Sequence, residues 1–130
     1  MSEENLEIAR NAINAWNAGA MDALRALYSP DAVYVTPPDW IGGSYVGRDA
    51  VMEQFRELRD VWPDDSSFGR PEFWDGGDYV VVQIPFHSAT RGLALSTEVA
   101  WVYTMRDELI VRLEFFHSSE EALEAAGLSE

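Results

Sequence analysis

Midway along the 130 residues the apolar pattern changes its period, and that change limits the fold more than any other feature. Before it, apolar side chains recur at spacings of three and four, as on a helix; after it they alternate, as on a strand. Leu6, Ala9, Ile13, Trp16 and Ala20 form the first stripe, opened by Ser2 as a cap and by Glu3 and Glu4 at the positive end of the helix dipole. Gly19 supplies a stop. A second, short helix is expected from Met21 to Tyr28 with Leu24 and Leu27 inward, ended by Ser29-Pro30-Asp31. Ala32 to Thr36 is rich in strand formers and Pro37-Pro38 breaks it, while Asp39 to Gly47 reads as a loop or bent hairpin. Asp49 opens a third helix carrying Val51, Phe55, Leu58 and Val61 on one side, closed by Pro63.

The remainder reads as a β-meander. Ser67 to Trp74 forms a strand, Asp75-Gly76-Gly77-Asp78 a tight turn, and Tyr79 to Ser88 the next strand. After a turn near Thr90-Arg91-Gly92, a long strand from Leu93 to Met105 turns at Arg106-Asp107 and returns from Glu108 to His117. Ser118, with Glu121 three residues on, is a capping box for a last short helix that stops at Gly127. Helices first and strands after imply an α+β domain over residues 1–130, an antiparallel sheet with helices on one face.

Charge and composition remove whole classes of function. A net charge of −14 repels phosphate backbones and anionic membranes, so neither nucleic acid nor a bilayer is an expected partner. No apolar run approaches the roughly 20 residues that span a bilayer. The acidic N-terminus does not resemble a signal peptide, which leaves a cytoplasmic location as the expectation. Cysteine is absent, and all nine basic residues are arginine, so thiolate and lysine Schiff-base chemistry are both excluded. With His87 and His117 as the only histidines, and no phosphate-cradling glycine loop, neither a metal nor a nucleotide cofactor is expected.

Three stretches carry a family resemblance. Ala15-Trp16-Asn17-Ala18-Gly19-Ala20-Met21-Asp22-Ala23-Leu24 is similar to a helix junction typical of SnoaL-like proteins. Tyr28-Ser29-Pro30-Asp31-Ala32-Val33-Tyr34 is followed by Gly47-Arg48-Asp49-Ala50-Val51, and Leu109 to Phe116 runs into Glu120-Glu121-Ala122-Leu123. In this order they resemble the SnoaL-like branch of the nuclear transport factor 2 (NTF2-like) superfamily. The resemblance implies a cone: a curved antiparallel sheet, three N-terminal helices on its concave face, a short C-terminal helix and an internal pocket. It also implies ketosteroid isomerases, polyketide cyclases, epoxide hydrolases and dehydratases as relatives, beside non-catalytic domains. Fold does not choose among them. The isomerases' oxygen-polarising tyrosine and aspartate match Ala12 and Ala100 here, and their general-base aspartate matches Thr36. The last-strand aspartate of the cyclases and hydrolases matches Phe115. None of those carboxylates is present.

Strand parity offers a second route to the pocket. With Arg106-Asp107 as the turn, Met105 opposes Glu108, and Glu98, Ala100 and Val102 share a face with Leu113, Phe115 and His117. Val82, Ile84 and Phe86 belong to the apolar set of the preceding strand, and Tyr34 and Thr36 come from the first. Trp16 and Phe55 reach the same space from the helices, and Trp40 stands where a lid would. In that register Glu98 and His117 are diagonal neighbours, roughly 7–8 Å apart and within reach of each other. A carboxylate that fixes the tautomer of an imidazole is the least equipment of a general base. The other face would then carry Trp101, Tyr103 and Phe116, a partner surface, and the family resemblance implies a homodimer through it.

Three readings follow. The first is a pocket for a small hydrophobic molecule, with isomerase-, cyclase- or dehydratase-type proton transfer by His117 and Glu98 and with Tyr34 or Thr36 orienting the substrate. The second is a non-catalytic binding or accessory domain. The third is an interaction module whose core is filled.

Overall fold

The computed structural model describes residues 2–37, 43–61, 67–90, 93–116 and 118–127. Among them, helices α1 (Ser2–Ala18) and α2 (Met21–Arg25) precede strands β1 (Tyr28–Val35) and β2 (Ser44–Val46). Helix α3 (Arg48–Val61) is followed by β3 (Ser67–Phe68), β4 (Glu72–Asp75), β5 (Tyr79–Thr90), β6 (Leu93–Arg106), β7 (Leu109–Phe116) and α4 (Ser119–Ala125). This is the expected α+β order. No helix among the described residues is long and apolar enough to cross a membrane.

The sheet runs β2-β1-β7-β6-β5-β3, and β4 takes the other stretch of the β5 edge. The strand expected from Ser67 to Trp74 is thus two, parted at Gly69-Arg70-Pro71, where proline has no N–H to give a ladder. One pair breaks the antiparallel rule: β1 lies parallel to β7. β1 also starts earlier than its sequence suggests. Its register shifts between Tyr28 and Val33, a bulge that accommodates Pro30 within the strand. There Ser29 Oγ donates to Asp31 Oδ1 at 2.7 Å.

The β6–β7 hairpin corrects the expected register. Its turn is Asp107-Glu108, with φ of 52° and 67°, the left-handed pair of a type I′ turn, so Arg106 opposes Leu109 and Met105 opposes Ile110. Thr104 then opposes Arg112, leaving Val111 as the extra residue of a bulge. From there Tyr103 faces Leu113 and Trp101 faces Phe115. Moving the turn by one residue preserves parity; the bulge reverses it. A bulge leaves no mark in an alternating pattern that can be read without its partner strand.

Two apolar clusters result. The inner cluster joins α1 and α3 to Val80, Val82, Ile84, Trp101, Tyr103 and Leu113. The outer one places Val81, Ala100 and Val102 beneath Ala122 and Leu123 of α4, with Trp74 and Phe116 at its border. α4 begins as expected, Ser118 Oγ accepting from the Glu121 N–H at 3.2 Å.

Candidate functional site

Between the helices and the inner sheet face lies a cavity of roughly 300 Å³. Its wall is a relay of aromatic rings. Phe55 of α3 is the hub, with ring centroids 5.8 Å from Trp16, 5.8 Å from Tyr28 and 5.4 Å from Tyr34. Tyr34 meets Phe115 at 5.8 Å, Phe115 meets Trp101 at 5.1 Å, and Phe68 bridges Trp101 and Phe86 at 5.4 and 5.9 Å. Most of these contacts are edge-on or tilted, the geometry that ring quadrupoles favour. Flat rings braced against one another cannot fold into the space they surround, which keeps part of it open.

Local structure sets the rim. Gly19 ends α1 with a positive φ of 71°, and a side chain there would meet the Arg59 guanidinium at 3.2 Å. Arg59 lies over the Trp16 ring at 5.2 Å and donates to the Trp16 carbonyl at 2.9 Å, closing one end. Asn17 exchanges two hydrogen bonds with the Phe68 backbone, at 3.4 and 3.3 Å, which fixes β3 and its ring at the wall.

Seven of the expected pocket residues line the cavity: Trp16, Tyr34, Thr36, Phe55, Phe86, Leu113 and Phe115. Val82 and Ile84 are on the same face but fully enclosed in the core, at 0% exposure. Ala100 and Val102 are corrected outright: the bulge turns them to the outer face beneath α4, and Val99, Trp101 and Tyr103 take their place. Trp101 and Tyr103 therefore leave the expected partner surface for the interior, and Phe116 is half-buried against the α4 cluster. Glu98 is exposed, on the alternate side of β6 from Val99, so it is no partner for a base inside the cavity. His117 and Trp40 lie outside the described residues.

Thr36 has a different task from the one expected. Its hydroxyl donates to the Gly43 carbonyl at 2.8 Å and accepts from the Gly43 N–H at 3.0 Å. That group ties together the two ends of the 38–42 segment and is committed there. Tyr28, Trp101 and Tyr103 are among the lining residues that the sequence reading missed, with Gln54 of α3 the one amide among the described wall residues. Tyr28 was hidden by the early start of β1, Trp101 and Tyr103 by the bulge. A signal was available: in Val99-Ala100-Trp101-Val102-Tyr103 the large rings alternate with small side chains, and small residues suit the face on which a helix packs.

The electrostatics are those of neutral groups. No Asp, Glu, His, Lys or Arg is among the described lining residues. Burial raises the Tyr28 phenol well above its ordinary range, with Tyr103 and then Tyr34 adding to it. The Tyr34 phenol is pushed up to about 12, by burial and then by Tyr45 stacked at 5.6 Å. Burial also raises Tyr103, an effect tempered by the nearby Trp101 N–H. That N–H is buried and reaches no acceptor at hydrogen-bonding geometry. Leaving a buried donor unmet costs about 1–3 kcal/mol.

The model of a SnoaL-like domain matches residues 9–113. No curated protein sequence matches the chain. Among solved structures, TerC co-crystallised with polyporic acid superposes with a TM-score of 0.75 at 21% identity, over 95% of this chain and 98% of that one. A Catenulispora acidiphila protein with a ketosteroid isomerase-like fold, in complex with trimethylamine, gives 0.71 at 22% identity over 95% and 94% of the two chains. A candidate polyketide cyclase from Xanthomonas campestris pv. campestris gives 0.75 at 17% over 96% and 98%. At these identities the likeness is one of fold.

Proposed function

Because this chain belongs to the SnoaL-like domain family, with an NTF2-like fold, we propose that it binds a small, uncharged, hydrophobic molecule within its inner cavity. One observation carries this reading: a cavity of roughly 300 Å³ walled by braced aromatic rings, with no charged side chain among its described lining residues. Apolar cavities with a few neutral polar groups are the usual form of small-molecule sites. A planar aromatic ligand gains most here, since it offers faces and edges to rings already held at stacking distance. Trp16 and Trp101 line the space and report on its contents.

The test is a titration followed by tryptophan fluorescence, with a neutral naphthalene as the probe. Saturable one-to-one binding is expected, lost in Ala12→Phe, which fills the cavity from α1 where Ala12 is 1% exposed. Absence of saturable binding by any neutral aromatic of this size sinks the proposal and favours an interaction module.

A second reading, proton-transfer catalysis of the isomerase or cyclase type, is favoured by the similarity to candidate polyketide cyclases. It would rest on His117 without Glu98. A pH–rate profile that disappears in His117→Ala supports it, whereas ligand binding indifferent to that change supports a non-catalytic role.

A further inference from the structure

Ile13 borders a second hollow besides the cavity: a groove of roughly 300 Å³ between α1 and the link from β3 to β4. Its polar character is the reverse of the cavity's. Arg10 and Asn14 stand on the α1 bank and Arg70 on the other, and no described lining residue is acidic, in a chain with 23 Asp and Glu. The banks are held at a fixed distance. Asn17 exchanges its two hydrogen bonds with the Phe68 backbone, the Gly69 N–H donates to the Pro85 carbonyl at 2.8 Å, and Pro71 stiffens the chain just beyond Arg70. Arg10 is oriented as well, its guanidinium over the Phe73 ring at 5.3 Å while half of the side chain stays exposed. Arg70 and Asn14 have no ion-pair or side-chain hydrogen-bond partner among the described residues. Glu7 pairs with Arg10 at 3.5 Å from the preceding turn of α1, an exposed contact of the kind that contributes little. Glu72 alternates to the other side of β4 from Phe73.

We infer that this groove is a second binding site, for the oxyanion of a small molecule. A carboxylate or phosphate ester lies between the Arg10 and Arg70 guanidiniums, and the Asn14 amide donates beside them. Because every basic residue of the chain is arginine, the groove offers planar forks rather than point charges, and forks match such anions two hydrogen bonds at a time. A stacked Arg10 and a tethered Arg70 bank have less freedom to lose when the anion arrives. Size then sets the class. A long polyanion meets the acidic surface beyond the groove and is repelled by the net charge of −14. A small anion meets the two guanidiniums, since carboxylates farther than about 8 Å are largely screened at physiological salt. A neutral molecule gains nothing from the forks, and a cation is repelled by them.

Phenyl phosphate, benzoate and phenol share a ring and differ in charge, which isolates the oxyanion. Each is titrated calorimetrically, and the tighter anion is then followed by NMR in isotope-labelled protein. Expected is one-to-one binding of an anion about tenfold or more tighter than phenol, with shifts centred on the Arg70 backbone and the Asn14 side-chain amide. Which anion binds more tightly names the source, phosphate ester or carboxylate. Arg10→Gln and Arg70→Gln should each weaken it about tenfold, and their melting temperatures report whether they fold. Glu7→Gln frees Arg10 of its competing carboxylate and should tighten binding severalfold. Phenol bound as tightly as the anions, affinities unaltered in both arginine variants, or shifts centred on Tyr34 and Phe55 of the cavity overturn the inference. So does failure of both anions to bind. Naphthalene, titrated separately, still decides the cavity reading, so the two proposals fail independently.

Discussion

The two faces of the one sheet solve opposite problems. The outer face presents small residues, Val81, Ala100 and Val102, and α4 seals them with Ala122 and Leu123. The inner face presents the larger rings, Trp101, Tyr103 and Phe115, yet it is the side with the cavity. Small side chains let a helix come close and leave nothing over. Large rigid ones hold helices off and, braced edge to face, leave a gap. Side-chain volume therefore says little about how full a face is; shape and stiffness decide it.

Matched truncations give the most direct test of that contrast. Leu123→Ala, on the sealed side at 2% exposure, should cost about 2–5 kcal/mol in chemical denaturation and leave ligand affinity unchanged. Alkaline titration comes next. The buried phenols all belong to the inner face, and the outer cluster holds no titratable side chain among the described residues. Tyr34 ionises near pH 12 in the folded protein and near 10 when unfolded. A raised acid favours the fold in its neutral form, so this contribution is complete below about pH 10 and is lost as pH rises toward 12. Tyr28 and Tyr103, raised in the same direction, extend the loss upward. Tyr34→Phe should flatten the first part of that decline in melting temperature. If the decline is the same in the variant, Tyr34 is not buried as described.

Leu58→Ala, the counterpart on the cavity wall, should cost less than Leu123→Ala, about 2 kcal/mol or below, because part of its surroundings is already open. It should nevertheless alter ligand affinity. Equal costs for the two truncations would mean that the wall is as closely packed as the sealed side. The smallest effect belongs to the surface. Arg25 and Asp49 form an ion pair at 2.7 Å, and the Arg25 guanidinium holds the Asp49 carboxyl below the usual carboxylate range. That contribution is present above the ordinary carboxylate pKa and disappears as pH falls through the depressed one. Asp49→Asn should shift the melting temperature barely, and less still at high salt.

The sequence made much of this legible. Local signals act over a few residues, and they located α1, α3, the Asp75–Asp78 turn, the Ser118 cap and the long strands within a residue or two. The family resemblance was sound, and seven of the expected wall residues line the cavity. What failed depended on a neighbouring strand. Ala100, Val102 and Glu98 were placed inward, and Trp101 and Tyr103 outward, because the bulge at Val111 exists only in the pairing of β6 with β7. Tyr28 was assigned to a helix end because its strand is completed by β7, far along the chain.

That bulge works as a reading frame for the hairpin. Without Val111 standing apart, Tyr103 would meet Arg112 and Trp101 would meet Glu114, and two charged side chains would enter a space that now holds neutral groups. Deleting Val111 keeps every later pairing in phase, whereas inserting one residue beside it does not. Along this hairpin the molecule should tolerate subtraction better than addition, a preference visible in whether each length variant melts cooperatively.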